Sequence, residues 1–190
     1  MEEEKTLSPQ ESLNVILRAI SSTKNSIRSN SFYFLLWGWA IAIASFGFFV
    51  MKVFFNAWFH FVLFPILAFI AGVITIVHYS RKRVVSTESY VSHFLSRLWA
   101  ILGIAFIMTV FINVSHGESP FTYTMMLAGI GTLVSGWLMK FKPLVFGGVL
   151  FLASSLVSVY VTVEYRALLQ GITVVAGYLV PGYLLKNAAD

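Results

Sequence analysis

The sequence predicts an all-α fold: a polytopic membrane helix bundle of six transmembrane helices, preceded by an N-terminal amphipathic helix. Three observations carry this. First, 58% of the 190 residues are apolar and 11% are charged, against roughly a quarter charged in a soluble domain. Too little polar surface is present to cover a water-facing core, so the solvent for most of the chain is lipid. Second, the apolar residues fall in six runs. At 1.5 Å per residue each run matches a hydrocarbon core of about 30 Å. Third, the 13 lysines and arginines sit at the ends of those runs and divide unequally between the two sides.

Residues 1–30 are expected to form a cytoplasmic N-terminal segment. Met1-Glu2-Glu3-Glu4-Lys5 is acidic and the first apolar run begins near Phe32. A cleaved signal peptide starts basic and turns apolar early, so the N-terminus is expected to be kept. Ser8-Pro9-Gln10-Glu11 reads as a helix start, with Ser8 as cap, Pro9 in the first turn and Glu11 completing a capping box. Leu13, Ile16, Ala19, Ile20 and Ile27 then share one side, Arg18, Ser21, Ser22 and Arg28 lie off it, and Lys24 falls at its edge. This is an amphipathic helix too polar to span, expected on the inner membrane surface or against the bundle.

Residues 31–186 are expected to form the transmembrane domain. Its six spans run from Phe32 to Met51, Trp58 to Tyr79, Phe94 to Val114, Phe121 to Met139, Leu144 to Val163 and Leu168 to Leu185. A tail of residues 187–190 follows. With the N-terminus inside, Lys5, Arg18, Lys24, Arg28, Arg81, Lys82, Arg83, Arg97, Lys140, Lys142 and Lys186 share one side, and Lys52 and Arg166 the other. The positive-inside rule therefore predicts a multi-pass membrane protein with both termini cytoplasmic. Phe141-Lys142-Pro143 makes a tight turn, where proline ends one helix and begins the next. Trp37, Trp39, Trp99 and Trp137 fall toward the inner interface, and Trp58, Tyr123, Tyr160 and Tyr165 toward the outer one, as aromatic belts do.

The net charge of +5 does not indicate nucleic acid, because the basic residues flank apolar runs rather than forming a patch. With no cysteine in the chain, disulfides, thiolate catalysis and Cys-ligated zinc are excluded. None of the eight acids falls in the middle of a run, which argues against a carboxylate relay of the kind proton-coupled transporters use. Leu133-Val134-Ser135-Gly136 lacks the first glycine of a rhomboid-like serine motif, and His-Glu-x-x-His is absent. No catalytic residue, metal or cofactor is predicted, and no enzymatic activity is expected. Asn113-Val114-Ser115 is formally a glycosylation sequon, too close to the membrane to be used.

Two sets of residues are candidates for a site. In the fifth span Gly147, Gly148, Ser154, Ser155, Ser158 and Thr162 share one face with Phe151. In the fourth, Thr124, Ala128, Gly131, Thr132, Ser135 and Gly136 repeat the pattern. Such faces suit close helix packing with hydroxyls bonding across the contact, or a neutral serine-lined path. At the inner mouth His78, at the end of a small face with Ala68, Ala71, Gly72 and Thr75, is followed across a loop by His93 and Arg97. These three could hold a proton or a metal, or simply face headgroups. On the outer side His60, His116, Glu118 and Glu164 carry ligand atoms without metal-site spacing, and Glu164 and Arg166 read as an exposed pair.

Thr23-Lys24-Asn25-Ser26-Ile27, Ser31-Phe32-Tyr33-Phe34-Leu35-Leu36-Trp37-Gly38-Trp39, Gly136-Trp137-Leu138-Met139-Lys140-Phe141-Lys142-Pro143 and Gly147-Gly148 resemble a group of uncharacterised small bacterial six-span membrane proteins. These share an amphipathic start, the LLWGW opening of the first span and the Lys-Phe-Lys-Pro turn. Such proteins are often encoded beside small winged-helix regulators, so the resemblance implies a signalling or envelope-stress role. A looser architectural similarity is to six-span acid-resistance membrane proteins built from three hairpins. The expected function is a regulatory or scaffolding protein that docks a cytoplasmic partner. A small transporter or channel along the serine face is the alternative, and homo-oligomerisation is compatible with either.

Overall fold

A computed structural model describes residues 9–82 and 90–187, and for Pro9, residues 11–30, Lys82 and Tyr90 it describes the backbone alone. The elements are α1 (Pro9–Val53), α2 (Leu63–Lys82), α3 (Tyr90–Ser115), α4 (Phe121–Leu138), α5 (Lys142–Ser158), α6 (Val163–Val174), a π-helical segment (Val175–Leu179) and α7 (Val180–Asn187). The chain is an all-α membrane helix bundle. Five stretches among the described residues are long and apolar enough to cross a membrane: Ser31–Val53, Leu63–Arg81, Val91–Ser115, Phe121–Leu138 and Val163–Asn187. The sixth helix, α5, has 17 residues, the lower end of the spanning range.

Four boundaries differ from the sequence reading. The second span begins at Leu63 rather than Trp58, because residues 54–62 run as turns and not as helix. α1 is one helix of 45 residues, with no break between its amphipathic beginning and its apolar end. A helix lying flat on the membrane would need such a break before turning to cross it. The amphipathic face of residues 11–30, the loop residues Arg83 and Glu88 and the tail beyond 187 lie outside the side chains described. The fifth span stops at Ser158 rather than Val163, and the last begins at Val163 rather than Leu168. Glu164 and Arg166 look like loop residues in the sequence, yet they form the first turn of α6. Thr162 is extended at its N-cap, and an acid in a first turn suits the helix dipole. Arg166 does not lean on Glu164. Its Nε donates to the Val161 carbonyl at 2.7 Å and its guanidinium reaches Ser119 Oγ at 3.3 Å.

Two antiparallel pairs make the core. α1 lies along α6, the π segment and α7: Gly171 meets Phe46, Gly38 meets Leu179, and Gly182 meets Leu35. α4 and α5 form the other pair and are the most closely packed helices. α2 packs on α1, where Trp37 Nε1 donates to Thr75 Oγ1 at 3.1 Å. α3 packs on α4, where Trp99 and Leu102 close over Gly131. α2 and α3 have little contact with each other. Only 6% of the apolar stretch of each is buried, so these two helices give most of their surface to lipid. At the end of the bundle opposite Trp99, Phe48 is enclosed by His60, Phe61, Phe64 and Phe121 at ring separations of 4.8–6.2 Å.

The α4–α5 turn shows why so few residues suffice. Phe141 N–H returns to the Gly136 carbonyl at 2.9 Å and Lys140 N–H to Trp137 at 3.1 Å, a Schellman closure. Lys140 occupies the left-handed position with φ 53°, where glycine is the usual residue. Pro143 in the first turn of α5 then starts the next helix. Lys140→Gly is expected to stabilise the fold by about 1 kcal/mol, the cost of holding a side chain in that conformation. A rise in thermal midpoint in detergent would show it; an unchanged or lower midpoint would mean the lysine side chain offsets its strain.

Candidate functional site

The small residues of α4 and α5 meet in one register. Gly129 faces Leu152, Leu133 faces Gly148, and Gly136 faces Val145. A methyl added to Gly148 would stand 2.5 Å from the Leu133 backbone nitrogen, and one on Gly136 would stand 2.6 Å from that of Val145. No side chain of any size fits between these backbones. Where α4 begins and α5 ends, Ser158 Oγ lies 2.7 Å from Thr122 Oγ1, and Ser155 Oγ donates to the Thr122 carbonyl at 3.0 Å. Near the other end Trp99 Nε1 donates to Ser135 Oγ at 3.2 Å, while Ser135 and Thr132 also donate back to carbonyls one turn earlier. Ser154, Ser155, Ser158, Thr132 and Ser135 are all buried. Thr162 is exposed beyond the end of α5.

The polar face of α5 serves two neighbours. Gly147 points away from α4 and brings the α5 backbone against the carbonyl of Gly177, while a methyl added to Gly177 would stand 3.1 Å from the carbonyl of Gly147. Ser154 accepts a bond from Thr173 Oγ1 at 2.8 Å on the same side. The Gly147–Gly177 contact falls in the π-helical segment, and the sequence explains why the helix widens there. Pro181 has no N–H to give the Gly177 carbonyl, which an α-helix would place four residues before it. The Val180 N–H instead bonds back to Val175, five residues away. Membrane helices tolerate proline where such local adjustment and a neighbouring helix compensate the backbone. Here the neighbour is glycine, and its Cα–H can lie against the carbonyl.

The π segment places Tyr178 at the centre of the bundle. Its ring touches Phe34, Trp99 and Phe151 at centroid distances of 5.5, 6.2 and 5.1 Å, and its hydroxyl pairs with Thr132. About two turns toward the start of α6, Gln170 is buried. It accepts from Thr124 Oγ1 at 3.1 Å, and its amide donates to Ser45 Oγ at 3.4 Å. Gln170 thus links α6 to both α4 and α1. Thr124, Gln170 and Tyr178 border a small cavity with about 20 Å³ of room for the centre of a water molecule, enough for about one water. Neither Gln170 nor Tyr178 stands out in the sequence reading. An amide and a phenol inside the last apolar run, the phenol three residues before a proline, are the signals that could have found them.

The histidines do not converge. His78 lies flat on Phe32 at 4.2 Å and edge-on to Tyr33 at 5.7 Å, so its ring packs α2 against the start of the first span. His93 and Arg97 are on the exposed surface of α3. On the other side His60 is held by the Ala57 carbonyl at 2.6 Å and by Phe48, while His116 and Glu118 are exposed. Among the described residues no group of three or more His, Asp or Glu comes together to hold a metal. Asn113 turns its amide back to the Thr109 carbonyl at 2.8 Å inside the last turn of α3.

Gln170→Leu removes two interhelical hydrogen bonds without changing much volume. Bonds of this kind average about 0.6 kcal/mol in membranes, so the expected loss is about 1 kcal/mol of stability, read by thermal unfolding. A loss above about 3 kcal/mol would mean that the amide organises more than its two partners. No family model, curated protein or solved structure matches the chain.

Proposed function

We propose that the chain is a regulatory or scaffolding protein of a bacterial inner membrane, with its basic side in the cytoplasm and a protein partner docking on its N-terminal helix. One observation supports the reading above others: α1 runs unbroken from Pro9 to Val53. At 1.5 Å per residue its first 22 residues reach about 33 Å before the apolar stretch begins. The second half of the same helix packs along α2, α6, the π segment and α7. A partner on the first half would therefore act on a rod that forms the middle of the bundle, with no flexible joint between. The unequal division of lysine and arginine supports the orientation. The spent hydroxyls of α4 and α5 weigh toward a scaffold over a conduit, since side chains that bond across a helix contact do not line water.

Photocrosslinking in native membranes tests this. Crosslinkers placed singly through residues 9–30 are expected to give a protein adduct that recurs with helical spacing. Adducts with lipid and with the chain itself alone would overturn the proposal.

A further inference from the structure

Beside the contact of α2 with α1, Val73, Ile74, Val77, His78 and Arg81 line an open groove of about 240 Å³. Its floor is apolar and one end is basic. Val73, Ile74 and Val77 are exposed and belong to the stretch of α2 that crosses the membrane. Arg81 is exposed one turn beyond Val77. Four residues of helix span about 6 Å, close to the depth of one interfacial layer, since the headgroup regions add about 10–15 Å in all to a hydrocarbon core of about 30 Å. With Val77 at the edge of the hydrocarbon, Arg81 lies at the level of the lipid phosphates. The ring of His78, stacked on Phe32, fixes the wall between them. α3 has little contact with α2 and leaves this side to the bilayer.

We propose that this groove binds an anionic lipid, with an acyl chain along Val73, Ile74 and Val77 and the phosphate on the guanidinium of Arg81. Guanidinium is the side chain best matched to a phosphate, which it can bind with two parallel hydrogen bonds. The occupant is a lipid and not a soluble anion because the apolar floor contributes nothing to a free phosphate. A specific site is distinguished from general attraction to basic residues by comparing Arg81 with Lys140, which is exposed too and does not line this groove.

Native mass spectrometry of the full chain, extracted into micelles holding equal phosphatidylglycerol and phosphatidylcholine, tests this. The chain is expected to retain phosphatidylglycerol about fivefold over phosphatidylcholine, the factor for roughly 1 kcal/mol from one basic residue near the surface. Arg81→Gln is expected to abolish the preference, and Lys140→Gln to leave it. Val77→Trp, which fills the groove and keeps the charge, is expected to lower retention of both lipids. Equal losses in the two charge variants, no preference in the parent chain, or displacement of the lipid by millimolar inorganic phosphate would each overturn the proposal.

Discussion

Gly147→Ala is expected to destabilise the bundle by about 3 kcal/mol, with Gly148→Ala close behind. The reason differs from ordinary overpacking. Beside Gly147 the obstacle is the Gly177 carbonyl, and beside Gly148 it is the Leu133 backbone. Neither can rotate away as a side chain can. Relief requires moving α5 as a whole, and α5 is held on both faces. Gly47 provides the contrast, since what a methyl would meet there is the tip of the Leu63 side chain, which can adopt another rotamer. Its cost is expected near 1 kcal/mol. Gly72 and Gly103 have nothing within 4 Å. Alanine at those two positions is expected to stabilise by up to about 1 kcal/mol through helix propensity. Thermal unfolding of the five variants in one detergent checks the order. A uniform response would mean that glycine acts here through flexibility and not through contact.

Phe48→Ala is expected to cost about 3–5 kcal/mol, the range for removing a buried aromatic ring. Phe48 is fully buried, while Phe69 on α2 is 73% exposed. Phe69→Ala is expected to change stability by less than about 0.5 kcal/mol, because in a bilayer lipid fills the space that the ring leaves. The pair separates protein contact from lipid contact. Loss of hydrophobic burial from water cannot distinguish them, since neither ring faces water. A large loss at Phe69 would show that another protein surface covers α2.

Much of this architecture is written in the sequence because lipid is a demanding solvent. A chain that must satisfy every backbone group within itself shows its helices as apolar runs of fixed length. The Lys-Phe-Lys-Pro turn was equally plain, since proline cannot continue the preceding helix, though the left-handed conformation of Lys140 was not. The start of the last helix was not. Glu164 and Arg166 carry a loop signature, and only the contacts of Arg166 with Val161 and Ser119 make them a helical turn. Periodicity placed Gly147 and Gly148 on one face of α5 but could not say that one faces α4 and the other Gly177. Two adjacent residues differ by about 100° around a helix, enough to address different neighbours. Tyr178 was hidden for a related reason. Its central position depends on the π segment, and the segment depends on Pro181 acting through backbone geometry that hydropathy does not register.

The absence of cysteine from the chain makes a direct test simple. The account rests on the hydroxyl faces of α4 and α5 being closed helix contacts and not the walls of an aqueous path. Single cysteines at Ser154, Ser155 and Ser158 in native membranes, probed with a water-soluble thiol reagent, measure this. The account predicts that all three stay unlabelled while a cysteine at the exposed Gly117 reacts. Labelling at Ser154 or Ser158 at a rate comparable to Gly117 would contradict it and place water between the helices.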